Sequence, residues 1–294
     1  MLSSVNAKTV RPQGSILGDK VRSRFSFVLS LLLLIIMSII TLAPIVWAIG
    51  TSLRKPTDSF ILPPQWIPLN PIWSNYSEVF DTIPYLQYLW NSTFVVVGIL
   101  IGQLITATLA GYAFARLPFP FKGFLFWIIL ATLMIPILST IIPVFVLISQ
   151  LHLADTHASL IIPAWPTAFG TFLLRQYFMG ISNEYEEAAV IDGANQFQVF
   201  YRVYLPLAAP GMAILAVLSF NAYWNDFFRP LIFLTSPDKF TLPLGMVSLF
   251  GINGTGSISV ILAGVLLSLI PVFLVYLVGQ RYLVQGITMG GLKG

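Results

Sequence analysis

Residues 25–53 read FSFVLSLLLLIIMSIITLAPIVWAIGTSL, a run without charge between Arg24 and Arg54. A bilayer core of about 30 Å is crossed by about 20 helical residues, so this run is long enough to span a membrane. Five more charge-free runs lie between Asp81 and Arg116, Lys122 and Asp155, Asp155 and Arg175, Arg202 and Asp226, and Lys239 and Arg281. The sequence therefore predicts six transmembrane helices, at about 27–50, 91–113, 124–149, 158–178, 207–229 and 259–281.

The composition excludes a soluble domain. Of the 294 residues, 57% are hydrophobic and 9% are charged, whereas a soluble domain carries about 25% charged residues. Lipid offers no hydrogen-bond partner to the backbone, and no alternating ten-residue pattern indicates a barrel, so the spans should be helices. The predicted fold class is an all-α integral membrane protein. The first run exceeds the apolar core of a signal peptide, about 7–15 residues, so we expect no cleavage after it.

The basic residues predict how the spans are oriented. Cytoplasmic loops of membrane proteins are enriched in Lys and Arg, and a cytoplasmic amino terminus places most of these residues inside. They are Lys8, Arg11, Lys20, Arg22, Arg24, Arg116, Lys122, Arg175, Arg202, Arg281 and Lys293, against Arg54, Lys55, Arg229 and Lys239 outside. Both termini are then cytoplasmic. The chain divides into segment 1–24, a six-helix domain at 25–283 with a cytoplasmic insert at 182–206, and a tail at 284–294.

Several kinds of chemistry lack the residues they need. The chain has no cysteine, which excludes thiol catalysis and thiolate metal sites. No lysine follows a glycine, so the phosphate-binding loop of P-loop ATPases is missing. His152 and His157 lack zinc-ligand spacing, and the scattered basic residues do not indicate nucleic acid. We therefore expect no metal, no cofactor and no enzyme activity in this chain. The spans hold almost no central ionisable residue, which argues against the alternative of an ion-coupled transporter or channel acting alone.

The insert is the stretch from Ser182 to Pro210, SNEYEEAAVIDGANQFQVFYRVYLPLAAP. Asn183, with Glu186 three residues later, predicts a capped helix start. Asp192-Gly193 predicts its end, because glycine adopts the left-handed conformation that closes a helix. A second helix is predicted from about Asn195 to Leu205-Pro206.

Four aromatic residues of that second helix fall at helical spacing, which predicts one aromatic face. They are Phe197, Phe200, Tyr201 and Tyr204. Such a face can pack on the protein's own spans, lie on lipid, or dock into a partner.

The run Glu187-Ala188-Ala189, then Asp192-Gly193-Ala194, Leu205-Pro206 and Pro210, resembles the EAA signature of permease subunits of bacterial ABC importers. Other stretches resemble the carbohydrate-uptake branch of that family. They are Asn91-Ser92, AGYAFARLPFPFKG at 110–123, MIP at 134–136, FLLRQYF at 172–178 and QRYLVQGITMGGLKG at 280–294. Two positions depart from the family: Ser182 where a proline is frequent, and Gly256-Ser257-Ile258 where a tryptophan is frequent.

The resemblance implies a type I importer permease fold in which the insert is a coupling helix bound to an ATPase subunit. Glu187 matches the glutamate expected to form a salt bridge with that subunit. The implied coupling residues are Glu186, Glu187, Ala188, Ala189, Asp192, Gly193, Phe197, Phe200, Tyr201 and Pro206. The tail residues Gly290, Gly291 and Lys293 are expected to contact the ATPase pair. The implied partners are a homologous second permease, two ATPase subunits that bind ATP and Mg, and an extracytoplasmic solute-binding protein that contacts Leu242, Gly251, Asn253 and Gly254.

The expected substrate is an oligosaccharide, either neutral like a maltodextrin or acidic like an alginate fragment. Polar and aromatic span residues are candidates for the pathway, although ordinary helix packing or an interfacial aromatic belt is the favoured explanation for each. They are Gln103, Ser139, Thr140, Asn221, Tyr223, Trp224 and Asn225. The four basic residues predicted outside lean towards the acidic sugar.

Overall fold

The computed structural model describes residues 16–55, 57, 66–251 and 256–291, with side chains at 26–55, 57, 66–251 and 256–282. Within these ranges the regular structure is helical and contains no strand. The α-helices, in chain order, are α1 Ile16–Ser52, α2 Ser74–Thr82, α3 Tyr85–Arg116, α4 Lys122–Thr132, α5 Ile137–Gln150, α6 His157–Ile161, α7 Ala168–Met179, α8 Glu184–Ile191, α9 Gln196–Val199, α10 Leu205–Leu207, α11 Ala209–Trp224, α12 Phe228–Phe233, α13 Leu242–Gly245 and α14 Ile258–Gly291.

Three of the described helices are long and apolar enough to cross a membrane. They are Ser26–Ser52, Tyr85–Arg116 and Ile258–Tyr282. Two bent pairs raise the number of spans to five if each pair crosses once: α4 with α5, bent by 101°, and Gln196–Leu207 with α11, bent by 65°. The described residues thus hold three continuous candidate spans, or up to five when each bent pair is counted as one span, and the number of six stays a prediction.

Prolines explain the breaks. The predicted third span is interrupted before Pro136, whose backbone is extended with ψ 134, because proline lacks an N–H and pushes the preceding residue out of the helical region. The predicted fourth span is divided into α6, a 3-10 turn at Ile162–Ala164 and α7. Pro166 precedes the new helix start, where the Thr167 hydroxyl accepts the backbone N–H of Gly170 at 3.1 Å.

Helix α3 is the centre of the described fold and packs closely on α7. A Cβ added to Gly111 of α3 would lie 2.9 Å from Leu174 Cβ and 3.0 Å from the Arg175 backbone nitrogen. Only glycine permits this approach, as small residues do in membrane helix pairs. The pairing brings the carboxyl ends of both helices next to the insert.

A cluster of buried side chains joins the insert to α3 and α7. Tyr112 of α3 is its hub, with ring centroids 5.8 Å from Phe178, 4.8 Å from Phe200 and 5.3 Å from Tyr204. Aromatic pairs at these separations stabilise beyond the area that they bury. The insert is consequently a packed extension of the helical domain.

Candidate functional site

Helix α8 starts without the predicted side-chain cap. Asn183 has helical backbone angles, φ −67 and ψ −22, and makes no capping hydrogen bond. Its side-chain oxygen instead accepts a hydrogen bond from the Arg116 guanidinium. The Asn183 cap was therefore wrong, because a cation from α3 occupies the capping oxygen. The Ser182 hydroxyl accepts the Glu184 backbone N–H at 3.3 Å.

A capping box occurs at the following helix. Asn195 Oδ1 accepts the backbone N–H of Gln198, and Gln198 Oε1 accepts that of Asn195, both at 2.9 Å. The second helix therefore starts where the sequence predicted.

The predicted end of α8 is confirmed. The helix stops at Ile191, and Gly193 has φ +84, the left-handed conformation that glycine favours. The N–H groups of Asp192, Gly193 and Ala194 donate to carbonyl oxygens of the last turn at 3.0, 3.0 and 2.9 Å. This turn directs the chain into the second helix of the insert.

The aromatic residues of that helix lie on two faces, which corrects the single face predicted from α-helical spacing. Phe197 is 70% exposed and contacts the exposed ring of Tyr201 at 5.4 Å. Tyr204 is 0% exposed, and Phe200 packs beside it on Tyr112. Part of the set thus packs on the protein's own helices, and part faces outward.

A π-helical turn at Phe200–Tyr204 causes this division. The Leu205 N–H donates to the Phe200 carbonyl oxygen, five residues back, so the helix turns more slowly than an α-helix does. Pro206, which cannot donate, follows at once, and π adjustments are common near such missing donors. The helix continues to Leu207, past the end predicted at Leu205.

The three glutamates of α8 have different surroundings. Glu186 accepts a 2.7 Å hydrogen bond from the Tyr204 hydroxyl, whereas Glu184 and Glu187 are exposed. Burial, and next the hydrogen bond to the Glu186 carboxylate, raise the pKa of Tyr204 above its ordinary value. The phenol therefore stays protonated and donates. Of the two adjacent glutamates in the motif, Glu186 has a partner within the chain and Glu187 faces solvent.

A cleft of about 690 Å³ lies between α8 and the end of α3. Its lining combines a cation, two carboxylates and apolar side chains: Ala115, Arg116, Asn183, Glu186, Glu187, Val190 and Ile191. Ile191 is 86% exposed, and Tyr185 and Val190 are also largely exposed. Ala188 is exposed, whereas Ala189 packs partly against the insert core.

Sequence reasoning missed Tyr185, Val190 and Ile191 as candidates. The signal available in the sequence was the apolar pair Val190-Ile191, directly before Asp192-Gly193 in a segment predicted to be a short cytoplasmic helix. In the part of the chain that the structure describes, no group of three His, Cys, Asp or Glu could hold a metal. The chemistry of this surface suits contact with a protein.

Gln103, a predicted pathway residue, lies in the helix packing. It is buried and donates to the Ala164 carbonyl at 2.8 Å and to the Tyr223 hydroxyl at 2.7 Å. Its side-chain oxygen accepts the Ser219 hydroxyl at 2.7 Å. Gln103 therefore joins α3 to α11 and to the 3-10 turn before α7.

The other pathway candidates differ in exposure. Trp224 is buried, stacks on Phe220 at 5.3 Å and donates to the Ser268 carbonyl at 3.2 Å. Asn221, Asn225 and Ser139 are exposed, and Thr140 is half-buried. Trp224 thus packs within the protein, and a pathway role of Asn221, Asn225, Ser139 and Thr140 stays a prediction.

The predicted binding-protein contacts fall on buried, exposed and undescribed residues. Leu242 is 1% exposed and belongs to a core cluster, so it offers little surface to a partner. Gly251 is exposed with φ +66. Asn253, Gly254 and Lys293 lie outside the described residues. Gly290 and Gly291 lie in the last turn of α14, and their contact with an ATPase pair stays a prediction.

The basic residues predicted on the outer side are mostly engaged within the chain. Arg229 pairs with Asp226 at 2.5 Å, and Lys239 pairs with Asp155 at 2.9 Å. Arg54 is 3% exposed. The argument for an acidic sugar is therefore weakened, since of these four residues only Lys55 is exposed.

Asp155 joins the loop before α6 to the loop after α12. Its carboxylate accepts the Ser236 hydroxyl at 2.5 Å, the backbone N–H groups of Thr235 and Ser236 at 2.9 Å, and Lys239 Nζ. These hydrogen bonds, the Ser236 hydroxyl first, lower the pKa of Asp155 below its ordinary value.

Residues 104–288, more than half of the chain, match the family model described as binding-protein-dependent transport system inner membrane component. The arabinooligosaccharides transport system permease protein AraQ of Halalkalibacterium halodurans is 33% identical over 247 residues, 83% of this chain and 86% of that protein. The galactooligosaccharides transport system permease protein GanQ of Bacillus subtilis is 32% identical over 280 residues, 94% and 98% of the two chains. In the crystal structure of a bacterial ABC transporter involved in the import of the acidic polysaccharide alginate, a chain is similar with a TM-score of 0.79 and 26% identity, covering 92% of this chain and 99% of that one.

Proposed function

The chain belongs to the family of inner membrane components of binding-protein-dependent transport systems, and on this premise we propose that it is one of two permease subunits of an ATP-driven oligosaccharide importer. Its relatives are ABC permease subunits, which are not themselves enzymes. In this proposal the chain crosses the inner membrane six times, with both termini in the cytoplasm. The partners are a homologous permease, two ATPase subunits and a solute-binding protein.

The observation that carries the proposal is the exposed surface of α8 and its cleft. Glu187 projects from a short helix whose exposed apolar residues, Val190 and Ile191, border a cleft of about 690 Å³. A charged residue beside a small apolar patch fits a protein partner that contributes a cation and an apolar groove. We assign Glu187 to the ATPase contact and Glu186 to the hydrogen bond within the chain.

In this proposal the energy for transport comes from the partner ATPase subunits. The chain has no phosphate-binding loop, and alternating access requires only that ATP binding favours one conformation of the complex over another. The bend of 65° between Gln196–Leu207 and α11 provides a joint at which movement of the insert can reach a span.

For the substrate we favour a neutral oligosaccharide. Arg229 and Lys239 are paired with Asp226 and Asp155, and Arg54 is buried, so little basic charge is presented to an acidic sugar. The names of the two curated relatives refer to arabinooligosaccharides and galactooligosaccharides. Because a similar chain belongs to a transporter of the acidic polysaccharide alginate, an acidic sugar is tested beside the neutral ones.

Transport by reconstituted complexes tests this proposal. Proteoliposomes that contain both permeases and the ATPase pair should take up labelled arabino-, galacto- or malto-oligosaccharides only when ATP and the binding protein are both present. Alginate oligosaccharide should be taken up more slowly. Uptake without ATP, or by this chain alone, would contradict the proposal, and faster uptake of alginate oligosaccharide would contradict the neutral substrate.

Two substitutions on α8 test the assigned coupling residue. Glu187→Ala should leave assembly intact but lower the sugar transported per ATP hydrolysed. The matched control is Glu184→Ala, since Glu184 is another exposed glutamate in the first turn of the same helix. Equal effects of the two substitutions would refute a specific role for Glu187. Combining Glu187→Ala with Gly193→Pro should deepen the loss.

A further inference from the structure

Arg116, the last residue of α3, contacts three separate parts of the chain. One guanidinium nitrogen donates to the Phe178 carbonyl at 2.6 Å and to the Ile181 carbonyl, both beyond or at the end of α7. The other terminal nitrogen donates to the Asn183 side chain, directly before α8. The guanidinium carbon also lies 4.8 Å from the ring centroid of Tyr204.

Tyr204, in the second helix of the insert, extends these contacts to α8. Its ring is buried under Arg116, and its hydroxyl donates to Glu186 at 2.7 Å. A planar guanidinium suits this geometry, because it can donate in several directions in its plane while its face lies on an aromatic ring. An ammonium group would keep the charge but could not satisfy all of these partners at once.

We propose that Arg116, through Tyr204 and Glu186, is the positioning residue that fixes α8 to the end of α3, so that movement of α8 is transmitted to this span. The inference rests on the proposed function for its consequence in transport. Its geometric part, that Arg116 fixes the position of α8, stands independently of the transported substrate.

The alternative is that Arg116 only stabilises the fold. A residue with that role would change assembly or melting without altering how α8 sits relative to α3 in the folded protein. Two measurements separate these roles: a distance between the helices, and the amount of sugar transported per ATP.

The distance is measured with spin labels, which the absence of cysteine makes straightforward. Cysteines replace Leu109 on α3 and Glu184 on α8, both exposed, in a complex whose other subunits have no cysteine. Arg116→Gln should broaden the distance distribution, and Arg116→Lys should broaden it less. Arg281→Gln is the control, because the described side-chain contacts of Arg281 are with the adjacent Tyr282.

The transmission is measured by transport and ATP hydrolysis in the same complexes. Arg116→Gln should lower the sugar transported per ATP by about fivefold or more while hydrolysis continues, since several hydrogen bonds of a charged group are lost. Tyr204→Phe keeps the ring and removes the hydroxyl. The effects of Tyr204→Phe and Glu186→Ala on sugar transported per ATP should not add, because both substitutions remove the same hydrogen bond.

An unchanged distance distribution in Arg116→Gln would overturn the positioning role even if transport fell. A broadened distribution with unchanged sugar per ATP would overturn the transmission. Additive effects of Tyr204→Phe and Glu186→Ala would remove Tyr204–Glu186 from the path. Absence of ATP-dependent uptake by the unmodified complex would refute the proposed function, while the distance measurement would still decide the position of α8.

Discussion

Substitution of Gly193 tests whether the backbone turn after α8 holds the coupling surface in place. Gly193 has φ +84, and a Cβ added there meets nothing within 4 Å. The cost of a side chain is therefore conformational rather than steric, about 1–2 kcal/mol for a residue other than glycine. Asparagine enters this region more readily than alanine, and a β-branched residue less readily. Destabilisation of the turn should therefore be smallest for Gly193→Asn, larger for Gly193→Ala and largest for Gly193→Val.

Hydrogen exchange in the assembled complex measures this effect. The reporters are the N–H groups of Asp192, Gly193 and Ala194, which close the last turn of α8. A cost of about 1–2 kcal/mol corresponds to about 5–30-fold more local opening, and exchange of the Asp192 and Ala194 groups in Gly193→Ala should accelerate to that extent.

Gly123→Ala is the matched control for this series. Gly123 also has open space around an added Cβ, but it lies in the first turn of α4 and its φ is not positive. Alanine there should leave exchange in α8 unchanged. Exchange at the unmodified rate in Gly193→Ala, or an asparagine variant less protected than the alanine variant, would refute the backbone argument.

Three further predictions concern the helical domain. Gln103→Leu should lower the melting temperature of the complex, measured by tryptophan fluorescence, more than Tyr223→Phe does. The first substitution removes three hydrogen bonds and the second removes one, each worth about 0.6 kcal/mol in a bilayer. Equal shifts of the melting temperature would contradict this role of Gln103. Gly111→Leu should reduce the yield of assembled complex, measured by size-exclusion chromatography, because Leu174 and the Arg175 backbone occupy the space of its side chain; full yield would show that α3 and α7 can separate without penalty. The pKa of Asp155 is lowered, so its hydrogen bonds to Ser236, Thr235 and Lys239 should persist above pH 3.8, the ordinary value, and be lost only as the pH falls below that value. Asp155→Asn should therefore accelerate proteolysis near Ser236 at neutral pH. Lowering the pH of the unmodified protein to about 5 should not accelerate it.

The sequence predicted the helical class and the turn at Gly193 because each depends on local chemistry. Apolar runs long enough for a bilayer require backbone hydrogen bonds within the segment, and a glycine after an aspartate ends α8 whatever lies around it. The number of continuous spans followed less directly from the sequence, since hydropathy does not measure a bend. A proline such as Pro136 marks where a helix can break, but it does not give the 101° angle between α4 and α5.

The sequence indicated the segment that forms the insert but not the directions in which its side chains point. The aromatic spacing in the insert assumed 3.6 residues per turn, and the π turn at Phe200–Tyr204 invalidated that assumption locally. The cap at Asn183 failed for a different reason, because Arg116 is 67 residues away in sequence and reaches the same oxygen. Long-range competition of this kind leaves no local pattern.

The adjacent glutamates of α8 illustrate what tertiary structure adds to a motif. Successive residues of an α-helix point about 100° apart, so Glu186 and Glu187 cannot both face one neighbour. Tyr204 lies 18 residues later and donates to Glu186, which leaves the Glu187 carboxylate exposed at the cleft. A motif with one glutamate facing inward and the next facing outward can bind a partner on one side and its own span on the other. Tyr204→Phe removes the hydrogen bond to Glu186 and should impair coupling within the chain. Glu187→Ala removes the exposed carboxylate and should impair coupling at the contact with the partner.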